Sequence, residues 1–328
     1  MDKSVVSIKN LRKYFHSKDK TIKAVDGVDL EVSAGTIFGF LGPNGAGKTT
    51  TLRILTTLMI SDSGDVTVAG LDVKKHPDQV RRKIGYVSQA GGADHSATGT
   101  ENLILQGQLY GLSTSVAVAR AKELIGLLDL AEFSDRIVNT YSGGQRRRLD
   151  VALGLMNRPV VLFLDEPTTG LDPQNRANLW EQIRKLRQEG TTIFLTTHYL
   201  EEADALCDMI AIIDNGKIVA MGTPQELKKQ VAGECITISI EDQVVKSSEL
   251  IAMLEKADFI REVTADDIYL RLYVKDGATA ISEVLHILEK QEIILKTITL
   301  AAPTLDDVFL RQTGHSLRDL HAEEGEQS

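Results

Sequence analysis

Long apolar runs are missing from this sequence. No stretch approaches the roughly 18–20 apolar residues that a helix needs to cross a bilayer. The N-terminus, MDKSVVSIKN, lacks the apolar centre of a secretory signal. A soluble, cytosolic chain is expected, so in any membrane process another polypeptide must supply the membrane. Cysteine is scarce. Cys207 and Cys235 have no CxxC spacing and no nearby histidine pair, which leaves them as small apolar fillers in a reducing compartment. Excess positive charge is missing as well: the net charge of −9 argues against nucleic acid as a partner. Internal repeats, low-complexity tracts and heptads are also absent.

What remains is an ordinary globular composition, 42% hydrophobic and 25% charged, on a chain of 328 residues, long enough for one large domain and a smaller one. The first half alternates short apolar runs with helical patterns, the mark of an α/β domain. VDLEV (Val28–Val32), TIFGFL (Thr36–Leu41) and IGYVSQ (Ile84–Gln89) predict strands. Strand signals then lapse, and ENLILQGQLYGL, SVAVARAKELIGLLDL and the segment after Tyr141 predict a helical subdomain over about 99–157. VVLFLDE (Val160–Glu166) is a solid apolar run that suits a parallel strand covered on both faces.

Pro173 suits the first turn of a helix reaching about Glu189, and TTIFLTT (Thr191–Thr197) predicts another buried strand. MIAIIDNGKIVAMG predicts a hairpin turning at Asn215-Gly216, and TPQE (Thr223–Glu226) caps a further helix. After about Gly233 the order becomes β-α-β-β-α-β, from ECITISI to EIILKTITL. That is the split pattern of a ferredoxin-like α+β fold. A short helix in TLDDVFLRQTG follows, and HAEEGEQS predicts a frayed acidic tail. The expected domains are therefore 4–232, 233–313 and a tail over 314–328.

GPNGAGKT, Gly42 to Thr49, fits G-x-x-x-x-G-K-[ST] and stands where that motif must stand, between a predicted strand and a predicted helix. Backbone N–H groups of such a loop wrap a β-phosphate. Lys48 would reach the β- and γ-phosphates, and the Thr49 hydroxyl would ligate Mg²⁺. VVLFLDE ends in Asp165, a carboxylate at the strand end where open α/β sheets bind ligands, suited to Mg²⁺. Glu166, one residue on, is a candidate general base. A second helix start built for an anion lies at YSGGQ, Tyr141 to Gln145. The arginines that follow, Arg146 to Arg148, are expected to be solvated or paired with acids.

GPNGAGKTT, Gln89 at a strand end, YSGGQ, LFLDEP, GLDP and TTHYLEEAD occur in this order and resemble the phosphate loop, Q-loop, signature, Walker B strand, D-loop and switch histidine of the ATP-binding cassette (ABC) family. The resemblance covers about residues 4–230 and implies a P-loop NTPase of ABC type, with a mixed sheet core and a helical subdomain. It implies two cassettes facing head to tail, each ATP lying between the phosphate loop of one and the signature of the other. A chain with one cassette would then act as a homodimer.

The ATP residues it implies are Gly42, Pro43, Asn44, Gly45, Ala46, Gly47, Lys48, Thr49 and Thr50, with Ser142, Gly143, Gly144, Gln145 and Asp172 acting in trans. Mg²⁺ would be held by Thr49, Gln89 and Asp165. Catalysis would fall to Glu166, with His198 steadying it and contacting the γ-phosphate and Gln89 contacting the water. An aromatic residue should stack on adenine; Phe15 fits the family spacing better than Tyr14. Tyr141 departs from the usual leucine of the signature but keeps its apolar bulk.

TGTENLILQGQLYGL, YSGGQRRRLDVALGL and TLDDVFLRQTGHSLRD are similar to the ATPases of daunorubicin-resistance-type multidrug exporters. That likeness implies an ATPase on the cytoplasmic face of the membrane, driving a separate integral-membrane permease that docks near Gln89 and the Ala90–Gly99 loop. The alternative is an ABC ATPase that drives a membrane or soluble partner mechanically, without transport.

Overall fold

The computed structural model describes residues 4–17, 20–230, 234–240, 248–265, 269–274, 276–291, 293–301 and 303–314. The acidic tail expected at the C-terminus lies outside them. The chain divides into two compact units, residues 1–224 and 225–328.

The larger unit holds two sheets. A six-stranded sheet has the order β10-β9-β3-β8-β7-β6, built from β3 (Ile37–Leu41), β6 (Ile84–Val87), β7 (Val161–Asp165), β8 (Thr192–Thr197), β9 (Met209–Asp214) and β10 (Lys217–Gly222). All neighbours in it are parallel except the β9–β10 hairpin. Every residue of β3, β7 and β8 is buried, as apolar runs of parallel strands require. Phe38, Phe40 and Phe163 gather around Phe194 with ring centroids 5.3–5.8 Å from it. Each such side chain, fully buried, contributes about 1.5–3 kcal/mol.

The second sheet is antiparallel, order β2-β1-β4-β5, made of β1 (Ser4–His16), β2 (Thr21–Ser33), β4 (Ser63–Val68) and β5 (Leu71–Asp72). Only its Val28–Val32 segment was expected as a strand. Helix α1 (Lys48–Leu55) packs against β2 and β4 of one sheet and β7 and β8 of the other. Its Leu52, Ile54 and Leu55 lie in the core the two sheets share. The phosphate loop is therefore held between both sheets.

The helical region contains α3 (Gly99–Leu109), α4 (Thr114–Leu127) and α5 (Gly143–Gly154), after a short α2 (Pro77–Arg81). Helices α6 (Pro173–Gln188), α7 (Leu200–Leu206) and α8 (Pro224–Gln230) follow. Asn215 and Gly216, both at positive φ (46° and 76°), make the predicted two-residue turn between β9 and β10. That turn meets the phosphate loop: Gly216 N–H donates to Ala46 O at 3.0 Å, and Asp26 N–H donates to Gly216 O at 2.8 Å. Cys207 is buried against Gly39, where a Cβ would fall 2.5 Å from its Sγ.

The smaller unit carries β11 (Glu234–Ile240), α9 (Ser248–Glu255), β12 (Ile260–Ala265), β13 (Leu270–Val274), α10 (Gly277–Lys290), β14 (Leu295–Ala301) and α11 (Leu305–Thr313). Its sheet order is β12-β13-β11-β14, antiparallel throughout, as a split β-α-β arrangement demands. Ile236, Ile238, Leu270, Leu272 and Val274 pack on one face with Leu250 and Leu254 of α9 and Val284 and Leu288 of α10. Tyr273 donates from its hydroxyl to Asp307 of α11 at 3.1 Å. Burial and the Asp307 carboxylate beside it push the Tyr273 phenol well above its ordinary range.

Candidate active site

Gly42–Gly47 form the loop that joins β3 to α1, and Lys48, Thr49 and Thr50 open the helix. Asn44 and Gly45 are exposed, whereas Gly42, Pro43, Ala46 and Gly47 are buried. Gly47 has φ 110°, and a Cβ there would fall 2.2 Å from Ala24 O, so no larger residue could close this turn. Lys48 is 4% exposed. Its Nζ donates to Gly42 O at 2.7 Å and to Pro43 O at 3.0 Å, both within the loop. The same ammonium lies 3.4 Å from Glu166 Oε1.

Asp165 ends β7 beside the start of α1. Its Oδ1 accepts from Thr196 Oγ1 at 2.7 Å and Thr49 Oγ1 at 3.3 Å. Thr49 and Asp165 therefore present hard oxygen donors side by side, the chemistry that suits Mg²⁺.

Glu166 leaves the strand at φ 45°. Its N–H donates to Thr196 O at 3.2 Å and Thr196 Oγ1 at 3.1 Å. The carboxylate has company on each side: His198 Nδ1 3.2 Å from Oε1, with Gln89 Nε2 and Thr169 Oγ1 each donating to Oε2 at 3.3 Å. Burial alone would raise the Glu166 carboxyl. The hydrogen bond from His198 and the charge of Lys48 outweigh it and hold the group down at about 2. Lys48, Thr49, Gln89, Asp165, Glu166 and His198, scattered over 151 positions of sequence numbering from 48 to 198, thus meet at the C-terminal ends of β3, β6, β7 and β8.

The signature residues form a second group. Ser142 caps α5: its Oγ accepts from Gln145 N–H at 3.2 Å, while Gln145 Oε1 accepts from Ser142 N–H at 3.0 Å. This reciprocal box fixes the helix start while Ser142 and Gly143 remain exposed. Asp172 caps α6, its Oδ1 accepting from Asn175 N–H at 2.9 Å. A Cβ on Gly144 would land 2.3 Å from Asn175 Oδ1. That close approach joins the signature to the D-loop in one rigid corner. Tyr141 is buried, edge-on to Phe133, and donates its hydroxyl to Phe133 O at 2.6 Å. The departure from leucine thus adds a hydrogen bond.

The two adenine candidates differ in what they are free to do. Tyr14 donates its hydroxyl to Asp26. Phe15 is 40% exposed on β1, opposite the exposed Ile22 of β2.

One expectation is overturned. Arg146, Arg147 and Arg148 are neither simply solvated nor paired with acids: each donates to backbone carbonyls. Arg146 reaches Tyr141 O and Arg148 reaches Asp129 O. Arg147 is buried with its whole guanidinium engaged. The reason is helical spacing, which puts Arg147 on the buried face of α5 with Gly144 and Val151. That spacing was the available signal. Thr196 and Thr169 were also missed, hydroxyls at a strand end and in a turn that carry no motif. The Ala90–Gly99 loop is tied down in its first half, with Gly92 N–H donating to Asp150 Oδ1 at 2.9 Å and Asp94 N–H donating to Asn102 Oδ1 at 2.7 Å.

Comparison with known proteins supplies the family. The ABC transporter family model matches residues 25–169, and the model for the C-terminal domain of DrrA1-3-like ATP-binding proteins matches residues 222–313. The daunorubicin resistance ATP-binding protein DrrA2 of Streptomyces coeruleorubidus is 44% identical over 99% of both chains. The chain belongs to the ABC transporter family. Its activity is ATP hydrolysis coupled to transport, and ATP is its nucleotide.

The Nod factor export ATP-binding protein I of Ralstonia nicotianae is 38% identical, over 96% of this chain and 95% of that protein. Among solved structures, a dimeric ATP-binding cassette in a post-hydrolysis state with ADP and phosphate aligns at a TM-score of 0.61 and 27% identity. The alignment covers 66% of this chain and 98% of that one. No helix among the described residues is long and apolar enough to cross a membrane.

Proposed function

We propose that this ABC ATPase works as a homodimer on the cytoplasmic face of the membrane and powers a permease carried on a separate chain. Its cargo is a drug or a small hydrophobic compound. The observation that carries this reading is the meeting of Lys48, Gln89, Glu166 and His198 in one cluster, while the exposed signature cap at Ser142 faces none of them through a hydrogen bond of its own side chain. A cap built for an anion then finds its phosphate on the partner cassette. The cargo class is supported by the relatives' names, which specify daunorubicin, doxorubicin and linearmycin resistance.

ATP would lie with its phosphates in the Gly42–Thr49 loop and its adenine on Phe15. Thr49, Asp165 and Gln89 would hold Mg²⁺, which when bound neutralises charge on the phosphates. Lys48 would exchange the Gly42 and Pro43 carbonyls for the γ-phosphate. A carboxyl held at about 2 is a weak base; drawing Lys48 toward phosphate lifts that restraint and raises its proton affinity. Glu166 then takes the proton of the attacking water, orienting it together with Gln89. A bond forms between that water's oxygen and the γ-phosphorus, and the bond to the bridging β–γ oxygen breaks. His198 steadies the carboxylate and contacts the γ-phosphate.

The permease would dock beside Gln89 and the following loop. Leu105 and Leu109 of α3 and Val116 of α4 are half exposed or more in the neighbouring helical region, an apolar surface suited to a partner. The smaller unit, whose described residues show no catalytic cluster, would serve the dimer or its regulation.

The test is to tag the Glu166→Gln chain, trap it with ATP in its native cells and identify what co-purifies from membranes. A stoichiometric multi-spanning protein, whose reconstitution with the wild-type chain exports a hydrophobic compound, is the expected result. A membrane partner that moves no solute would favour a mechanical ATPase. Recovery from the soluble fraction alone would overturn the exporter reading.

A further inference from the structure

Arg147 is 7% exposed, and buried arginines ordinarily sit against carboxylates. This one spends every nitrogen on the main chain. Its Nε donates to Pro167 O at 2.7 Å, Nη1 to Ser88 O at 2.7 Å and Nη2 to Asp165 O at 2.9 Å. Two of these carbonyls belong to the residues on either side of Glu166, and the third belongs to the residue before Gln89. Glu166 itself stands in the left-handed backbone region at φ 45°, which a glutamate adopts at a cost and keeps only where its surroundings enforce it. One turn further along α5, Asp150 Oδ1 accepts from Gly92 N–H at 2.9 Å. The same helix thus grips the backbone before and after Gln89 and around Glu166.

We propose that Arg147 is a positioning residue for ATP hydrolysis. By pinning the carbonyls of Ser88, Asp165 and Pro167 it fixes where the Gln89 amide and the Glu166 carboxylate meet. This inference rests on Glu166 being the base. A guanidinium suits the task because its planar fork aims three donors in fixed directions, whereas a lysine ammonium is a point charge on a flexible stem. Arg147 lies on the helix that Ser142 caps, so the position of the base is registered to the signature through one rigid element.

The experiment compares Arg147→Gln and Arg147→Lys in the full-length chain with the wild type and with Glu166→Gln. It measures MgATP affinity, steady-state and single-turnover hydrolysis, and thermal melting. In the wild-type background, Arg147→Gln should lower kcat by about 10- to 100-fold while the MgATP Kd stays within about threefold. Arg147→Lys should fall between the two, and it carries the test if the glutamine variant does not fold.

In the Glu166→Gln background the same changes should lower the residual single-turnover rate by less than about threefold, because the carboxylate that Gln89 is held against is gone. Equal losses in both backgrounds would mark a merely structural role and overturn the proposal. So would an unchanged kcat in a folded Arg147→Gln protein whose Glu166→Gln counterpart is inactive. Full turnover by Glu166→Gln alone would overturn the base assignment and this inference with it.

Discussion

Glu166 Oε1 lies 3.2 Å from His198 Nδ1, across the ends of two adjacent parallel strands. The imidazole holds the carboxylate from this side, and its ring packs against Tyr199 with centroids 4.1 Å apart. Replacing Glu166 by glutamine keeps the shape and removes the proton acceptor. Glu166→Gln should bind MgATP with ordinary affinity and lose about 10²- to 10⁴-fold in hydrolysis. With ATP present it should accumulate as a closed dimer by size-exclusion chromatography. Wild-type turnover in that variant would assign the base elsewhere.

The same contact has a pH signature. The folded Glu166 carboxyl sits at about 2, below the ordinary 4.5. A depressed carboxyl contributes stability that is fully present above the unfolded value and is lost as pH falls toward the folded one. The urea midpoint of the nucleotide-free wild type, compared with that of Glu166→Gln, should show a constant difference above about pH 5.5 that shrinks below pH 4.5. Deleting the His198 ring should raise the folded carboxyl and narrow that window from its lower end. A difference that does not vary between pH 3 and 6 would contradict the assignment of His198 and Lys48 as its partners.

Lys48 bridges its own loop to Glu166, through Gly42 O, Pro43 O and Glu166 Oε1. On the proposed reading, its removal would deprive the phosphates of a buried cation. Lys48→Ala should weaken MgATP binding by about 10- to 100-fold, the range of charged hydrogen bonds. Isothermal titration measures this directly, and an unchanged Kd would remove Lys48 from the phosphate site.

Phe15 and Tyr14 are adjacent, but only Phe15 has its ring half free. Base–aromatic stacking is worth about 1–3 kcal/mol by alanine substitution. Phe15→Ala should therefore weaken ATP binding about 5- to 150-fold, and Tyr14→Ala should leave it unchanged. The reverse pattern would assign the adenine to Tyr14.

Legibility in the sequence followed how local each feature is. The phosphate loop, β7 and the β9–β10 turn are written in consecutive residues, and the structure places them within a residue or two of expectation. The β-α-β-β-α-β order after Gly233 was legible for the same reason. The antiparallel sheet was not. Along β1 the register with β2 shifts repeatedly, between Ser4 and Val6, Ile8 and Leu11, and Lys13 and Tyr14, and Asn10 turns through φ 47°. These bulges break the alternation that marks a strand. The burial of Arg147 was legible in its helical spacing, but its partners were not: they are backbone carbonyls of Ser88, Asp165 and Pro167, at the ends of β6 and β7, which no side-chain pattern advertises. Motifs marked the candidate catalytic groups, and only packing revealed the Arg147 contacts around them.

Ser142 allows the shared-site reading to be separated from helix stability. Its Oγ caps α5, so a substitution that cannot cap weakens the helix start by about 1 kcal/mol. Ser142→Arg fills the anion site with a bulky side chain but also removes that cap. Aspartate does not have this defect: it caps as well as serine and favours the positive end of the helix dipole. Yet its charge opposes a γ-phosphate arriving from a partner cassette. Ser142→Asp should therefore keep the melting temperature and the monomer's MgATP Kd of the wild type. Placed on Glu166→Gln, it should abolish the ATP-trapped dimer, as should Ser142→Arg. An undiminished ATP-driven dimer in the aspartate variant would refute the signature's role in trans, because the cap is intact and only the electrostatics have changed.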